Sequence, residues 1–210
     1  MIHESLETPI QGYYDAVVVG AGPAGCGAAI ALGRSGMKTL ILDRYNCLGG
    51  AWTTGFMNPL FDFKNKTGIV GELVSELKER NQFGGFGNMS FNYEYMKRIL
   101  ERKMQEANVE VLYNTTYSRT LVEQKRVYGI IAENISGRFA VMAKMIVDCT
   151  GDGNVAANAG CSFELGENGD YTACQAMTLM FLVGNIPEKY RNGLMLYEKL
   201  GAAYEKAGKQ

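Results

Sequence analysis

Histidine is almost absent from this sequence: His3 is the only one in 210 residues. A His-based nucleophilic triad would have to draw on that N-terminal position, where chains fray, so chemistry of that kind is set aside. Cysteine is sparse too. The five, at positions 26, 47, 149, 161 and 174, form no C-x-x-C pair and are odd in number. Neither a disulfide framework nor a zinc site is expected, no metal ligands are assigned, and a reducing, cytoplasmic setting is the simplest fit. An excess of one charge is also missing: 21 Lys+Arg against 22 Asp+Glu leaves a net charge of -1. That offers no field for holding nucleic acid or an anionic membrane. No apolar run approaches the ~20 residues of a membrane span. The opening MIHESLETPIQGYY lacks the basic start and apolar stretch of a signal peptide.

Glycine is what the chain has in excess: 26 of 210 residues, about 12% against a usual ~7%. Such an excess signals tight turns or close approach of backbone to a ligand. Residues 1–12 read as a loose tail. Tyr14–Val19 (YDAVVV) is a β-branched run of the kind found in buried parallel strands. An Ala-rich helix follows over 22–36, then a second apolar strand at Thr39–Leu42. Strand, glycine turn, helix and strand within about 30 residues make a βαβ unit.

Helical spacing recurs over Ile69–Arg80 and Tyr93–Ala107, the latter capped by Asn92, and Val109–Tyr113 is a strand. Thr120–Glu123, Arg126–Asn134 and Arg138–Met142 read as a three-stranded meander, followed by a separate buried strand at Met145–Asp148. Ala173–Val183 reads as a longer strand and 188–209 as an amphipathic helix. The charges of 97–106 read as a solvated face with Lys97–Glu101 and Arg102–Glu106 pairs.

The sharpest signal is Gly20-Ala21-Gly22-Pro23-Ala24-Gly25, which closes a strand and opens a helix. In that context Gly20 permits the tight turn, Gly22 lets a diphosphate reach the backbone, and Gly25 and Ala29 let helix and strand pack closely. The helix N-terminus adds free N–H groups and a positive dipole, so no Lys or Arg is needed. Asp43 ends the second strand, where a carboxylate accepts hydrogen bonds from a ribose diol and disfavours a 2′-phosphate. Its neighbour Arg44 is counted with the cofactor-binding residues, although a phosphate-ligand role is set aside because it points to the other side of the strand end.

This turn alone serves FAD and NAD equally. Two further features separate them: the second glycine pair in LGGAWTTG, and the meander that stands where an NAD domain continues with alternating strands and helices. At this point the sequence resembles the FAD-dependent oxidoreductases of the glutathione-reductase-like fold with two dinucleotide-binding domains. It is most similar to the branch described simply as FAD-dependent oxidoreductase. The segments YDAVVVGAGPAGCGAA, ILDRYNCLGGAWTTG and VDCTGDGNVAANAGCSFELG with QAMTLMFLVGN carry the likeness over residues 14–184.

The resemblance implies an α/β Rossmann-like FAD/NAD(P)-binding domain with a parallel sheet and a meander over 13–166. A helical insertion would occupy about 55–108, and a substrate domain would begin at 167–210. It implies that Gly20, Gly22 and Gly25, with Pro23 and Ala24, hold the pyrophosphate, and Asp43, in place of the more usual glutamate, the adenosine ribose. Gly49 and Gly50, followed by Ala51 and Trp52, would run towards the flavin, Thr116 and Tyr117 would meet the adenine, and Thr150, Gly151 and Asp152 would close over the FAD.

Family members are about twice this length, so the chain is expected to be an N-terminal portion, inactive alone. The expected activity is hydride transfer through the flavin to or from an unknown small-molecule substrate, with NAD(P)H or another electron carrier as partner. The alternatives are an NAD-binding dehydrogenase domain and a non-catalytic dinucleotide-binding fragment. No catalytic acid or base is assigned. Cys47 reads as an ordinary buried thiol or a reactive one near the flavin, and Cys26 as packing. Trp52, Phe56, Phe61 and Phe63 either line a substrate pocket or pack, and Gln175 and Thr178 are candidates to face the flavin.

Overall fold

A computed structural model describes residues 5–188 and 193–208. The elements run β1 (Ile10–Val19), α1 (Pro23–Arg34), β2 (Thr39–Leu42), α2 (Gly68–Glu79), α3 (Tyr93–Glu106), β3 (Glu110–Leu112), β4 (Thr116–Glu123), β5 (Arg126–Asn134), β6 (Gly137–Asp148), α4 (Asn154–Asn158) and α5 (Gly193–Ala207). All six strands share one sheet in the order β3-β2-β1-β6-β5-β4. β1 pairs in parallel with both β2 and β6, and β2 with β3, whereas β4–β5 and β5–β6 are antiparallel. The result is a mixed α/β sheet of the Rossmann-like kind.

Its central strands are buried on both faces, which is why they read as continuous apolar runs. On one face Val18 and Ile41 meet Ala29 and Ile30 of α1, Leu73 and Leu77 of α2, and Met96, Ile99 and Leu100 of α3. On the other, Val17, Val19, Leu40 and Leu42 meet Ile130, Ala132, Phe139 and Val141 of the meander and Val155 of α4. Asn92 caps α3, its side-chain oxygen accepting the Glu94 and Tyr95 N–H groups at 3.0 and 3.2 Å.

Several expectations are corrected. β1 begins at Ile10, so residues 10–12 belong to the sheet and not to a tail; the Pro9 carbonyl bonds to the Ala140 N–H at 2.8 Å and starts the β6 pairing there. The last meander strand and the strand ending at Asp148 are a single strand, β6. One continuous strand lets residues 137–142 pair with β5 while residues 140–148 follow β1. Residues 173–183 form no strand: they have no ladder partner, and Met177 and Leu179 stand exposed. His3 lies outside the described residues. Among those described, no helix is long and apolar enough to cross a membrane.

The charged run on α3 is only partly a solvated face. Arg102 pairs with Glu106 at 2.6 Å as expected, but Lys97 pairs with Glu94 at 2.8 Å, leaving Glu101 to accept from the Tyr113 hydroxyl at 3.4 Å. Lys103 is buried, its ammonium 2.9 Å from Glu72. Arg34, ending α1, clasps the same carboxylate with two bonds of 2.7 Å. Glu72 thus ties α1, α2 and α3 together, and the two cations, led by the Arg34 bonds, pull its carboxyl down from 4.5 to about 2.

A carboxyl lowered on folding stabilises above its unfolded value and loses that contribution as pH falls through the folded one. The Glu72→Gln variant is therefore expected to melt lower than the parent at pH 7, by no more than about 4 °C because the pair is partly solvated. The gap is expected to close between pH 4.5 and about 2. Parallel thermal melts across that range check it; a gap that stays constant would refute the linkage.

Candidate functional site

The chain leaves β1 through α1 to β2 on one side, while β6 lies on the other. A sheet whose order reverses in this way opens a crevice at the carboxyl ends of its strands. Here it is a cleft of about 840 Å³ at the ends of β1, β2 and β6, bounded further out by Thr115–Tyr117 at the start of β4.

The glycine turn forms its floor. Gly20 has φ +99°, and a Cβ there would stand 2.3 Å from the Cys149 carbonyl oxygen. Only glycine allows both this conformation and this contact with the end of β6. A Cβ on Gly25 would stand 1.9 Å from the Gly20 carbonyl oxygen, whereas one on Gly22 would meet nothing within 4 Å. Gly22 is the N-cap of α1 in an ordinary extended conformation, and no side chain caps the helix. The first intrahelical bond runs from the Cys26 N–H to the Gly22 carbonyl at 2.9 Å. The Ala24 and Gly25 N–H groups therefore have no acceptor within the helix.

Asp43 directly follows β2 and faces this floor. One carboxylate oxygen accepts the Ala21 N–H at 2.5 Å and the other the Tyr45 N–H at 2.9 Å. The Ala21 carbonyl accepts the Gly49 N–H at 2.8 Å, so the acidic residue and both glycine turns are locked together. Gly50 sits against Gly22; a Cβ on it would come within 2.8 Å of the Gly22 Cα. Arg44 lies over the Tyr45 ring, 4.9 Å from its centroid, and donates to the Tyr45 hydroxyl at 3.1 Å.

The far wall is the loop after β6. Asp148 accepts the Thr150 N–H at 3.0 Å and hydroxyl at 2.7 Å through one oxygen, and the Ala156 N–H at 2.9 Å through the other. Burial pushes the Asp148 carboxyl up, but the Ala156 and Thr150 bonds outweigh it and hold it below the ordinary carboxylate value. Gly151 and Gly153 carry φ of +87° and +69°, with open space where a Cβ would be.

Of the residues expected at a cofactor, Gly20, Gly22, Pro23, Ala24, Asp43 and Arg44 line the cleft. So do Gly50, Ala51, Tyr117, Thr150, Gly151 and Asp152. Gly25, Gly49 and Trp52 are not among the lining residues: Gly25 packs on Gly20, Gly49 on Thr53, and Trp52 edge-on against Phe91 at 6.0 Å.

The other aromatic residues pack as well, Phe56 on Tyr93 at 5.1 Å and Phe63 on Phe83 at 4.9 Å, while Phe61 is exposed. Gln175 and Thr178 are exposed and are not among the residues that line the cleft. Cys47 is a buried thiol with the Thr54 and Thr53 hydroxyls at 3.8 and 3.9 Å. Cys26 donates to the Ala21 carbonyl at 3.2 Å, and burial pushes its thiol up to about 12. Neither thiol lines the cleft. Sequence reasoning missed Asp148, Tyr45, Thr54 and Thr115 on the wall. Asp148 had a readable signal, since an apolar run ending in Asp is the pattern that marks Asp43.

Comparison with known proteins agrees with this architecture. Residues 15–207 match the protein family described as FAD dependent oxidoreductase. Among curated relatives, the thiamine thiazole synthase of Aeropyrum pernix is 34% identical over 119 residues, covering 56% of this chain and 43% of that protein. The thiamine thiazole synthase of Saccharolobus islandicus is 29% identical over 149 residues, covering 65% and 54%. The chain thus spans about half the length of the curated relatives it matches. Among solved structures, THI4 of Thermovibrio ammonificans superposes with a TM-score of 0.54 at 20% identity, covering 74% of this chain and 67% of that one. A geranylgeranyl bacteriochlorophyll reductase-like protein of Thermoplasma acidophilum gives 0.56 at 20% identity, covering 72% and 43%. At these identities the superpositions speak to the fold.

Proposed function

We propose a flavin nucleotide as the ligand of this cleft in a chain that belongs to the FAD dependent oxidoreductase family. The observation that carries the proposal is the empty space in front of Gly22 beside the uncapped start of α1. An unfilled Cβ position next to free N–H groups suits a diphosphate and serves no packing purpose. Asp43 supports it, since a carboxylate already oriented by two backbone N–H groups keeps lone pairs for a ribose diol. The β4–β6 hairpins favour a flavin nucleotide over NAD, whose domain continues with strand–helix repeats.

When bound, the flavin supplies hydride transfer at its N5 atom. The chain's own work is positional: α1 and the Gly20–Gly25 turn hold the diphosphate, Asp43 orients the ribose, and Tyr117 with Thr150–Asp152 screens the nucleotide from water. The full protein is read as an oxidoreductase acting on a small molecule, with NAD(P)H or another carrier exchanging electrons. We carry over the nucleotide cleft from the relatives named thiamine thiazole synthase, not their reaction, because the matches span only 43% and 54% of them.

The Gly20–Gly25 turn suited to a diphosphate and the Asp43 carboxylate suited to a ribose stand side by side, so recognition should reside in the ADP half. Titration with FAD, followed by flavin fluorescence, is expected to saturate. ADP and ADP-ribose are expected to displace FAD with affinities within about tenfold of its own, equivalent to about 1.4 kcal/mol, whereas FMN does not compete. Displacement by FMN but not by ADP would overturn this reading of the cleft.

A further inference from the structure

The loop that follows β6 contributes Thr150, Gly151, Asp152, Gly153 and Asn154 to the cleft wall, and something must hold it in shape. Asp148 stands at the C-terminal end of β6, paired in register with Val19 beside the glycine turn. Its three bonds to Thr150 and Ala156 span the loop from end to end. The Thr150 hydroxyl extends this anchorage by accepting the Asn154 N–H at 3.0 Å. What the anchorage leaves over is telling: the N–H groups of Gly151, Asp152 and Gly153 have no hydrogen-bond partner among the described residues. All three residues line the cleft.

Both ends of α4 are fastened to β4 as well. Asn158 accepts the Thr120 N–H at 2.7 Å, and the Thr120 hydroxyl donates to the Val155 carbonyl at 3.0 Å. Thr120 also shares a 2.6 Å bond with the Tyr117 hydroxyl. α4 is thereby a strut between β6 and β4, the two strands that carry the outer walls of the cleft.

We infer that Asp148 is a positioning residue for nucleotide binding: it fixes the 150–156 loop so that the free N–H groups of Gly151–Gly153 are turned towards the ligand. This rests on the reading of the cleft as a nucleotide site and adds to it a determinant that touches no ligand itself. An alanine at this position removes all three acceptor contacts. An asparagine keeps one oxygen for Thr150 and loses the acceptor facing the Ala156 N–H. The Thr150→Val variant tests the relay from the other side, because it removes the hydroxyl and leaves the carboxylate in place.

The experiment uses the full chain of the parent, Asp148→Asn, Asp148→Ala and Thr150→Val. Amide hydrogen exchange of the ligand-free proteins is measured first, then titration with FAD and with ADP. Protection of the Thr150, Asn154 and Ala156 amides is expected to be lost in Asp148→Ala and partly kept in Asp148→Asn, with the amides of β1 and α1 unchanged. Dissociation constants for both ligands are expected to rise about tenfold in Asp148→Ala and about threefold in Asp148→Asn and Thr150→Val. Unchanged protection, or full affinity in Asp148→Ala, would overturn the positioning role. A parent that binds neither FAD nor ADP while its loop is protected would overturn the nucleotide reading and leave the anchoring standing, so the two failures are distinct.

Discussion

The Gly22→Val variant is expected to remain folded and to lose FAD. Its side chain would project into the cleft, since a Cβ at that position meets no atom within 4 Å. The backbone there, with φ -68° and ψ -174°, is open to any residue. Valine is a poorer N-cap than glycine, which costs a few tenths of a kcal/mol to about 1. The reduced freedom of the unfolded chain returns about as much. The melting temperature is therefore expected to stay within about 3 °C of the parent. Binding is another matter. The two methyl groups would fill the space between a diphosphate and the free N–H groups of α1, so affinity for FAD and ADP should fall at least about 100-fold, or about 2.7 kcal/mol. Calorimetric melts with ligand titrations on the same preparation decide it. A Gly22→Val protein that binds FAD like the parent would remove the diphosphate from this corner.

The Gly25→Ala variant should behave in the opposite way, three residues along the same turn. Its methyl would lie 1.9 Å from the Gly20 carbonyl oxygen and 3.3 Å from the Cys149 Cβ. Both neighbours are fixed, the first in a turn with φ +99° and the second at the end of β6. Relief requires α1 to lift from β1, which opens the packing of Cys26, Ala29 and Ile30, all fully buried. Overpacking of this kind costs about 3 kcal/mol, and in a chain of this size that lowers the melting temperature by about 6–12 °C. Ligand affinity falls as a consequence of the displaced helix. Equal stability of Gly25→Ala and the parent would show that helix and strand are not in the contact described. The pair of variants separates the two functions of one motif, ligand approach at Gly22 and chain packing at Gly25.

Much of this was readable in the amino-acid order, for identifiable reasons. The β1–α1–β2 unit is local: its β-branched run, glycine spacing and terminal Asp43 each act within a few residues. α3 was legible because Asn92 and a clean apolar stripe mark it. What escaped were features set by distant partners. The single strand β6 reads as two segments because its exposure pattern changes midway, where Lys144 and Met145 turn to solvent. The burial of Lys103 depends on Glu72, which belongs to another helix. Residues 173–183 have the apolar content of a strand, but a strand needs a neighbour to receive its hydrogen bonds, and the sheet supplies none.

At the site, Gly49 and Trp52 are not among the residues that line the cleft, although their neighbours Gly50 and Ala51 are. Spacing reports nearness along the chain and not which side of a loop a residue faces. The resemblance to a flavoprotein family, carried over residues 14–184, lies almost wholly within the family match at 15–207, and its first two motifs are ones the fold places at strand ends.

The pairing of β1 with β6 also governs when the cleft comes into being. β1, α1 and β2 are synthesised before β6 and can associate at once, but the strand that completes the sheet beside β1 emerges only when Asp148 does. Until then the buried face of β1 has one neighbour, and its second edge is open to wrong partners. Late closure of a central strand slows folding and lengthens that exposure. Nascent chains of this protein should therefore acquire nucleotide affinity abruptly, once synthesis has passed α4, and not gradually as the glycine motif appears.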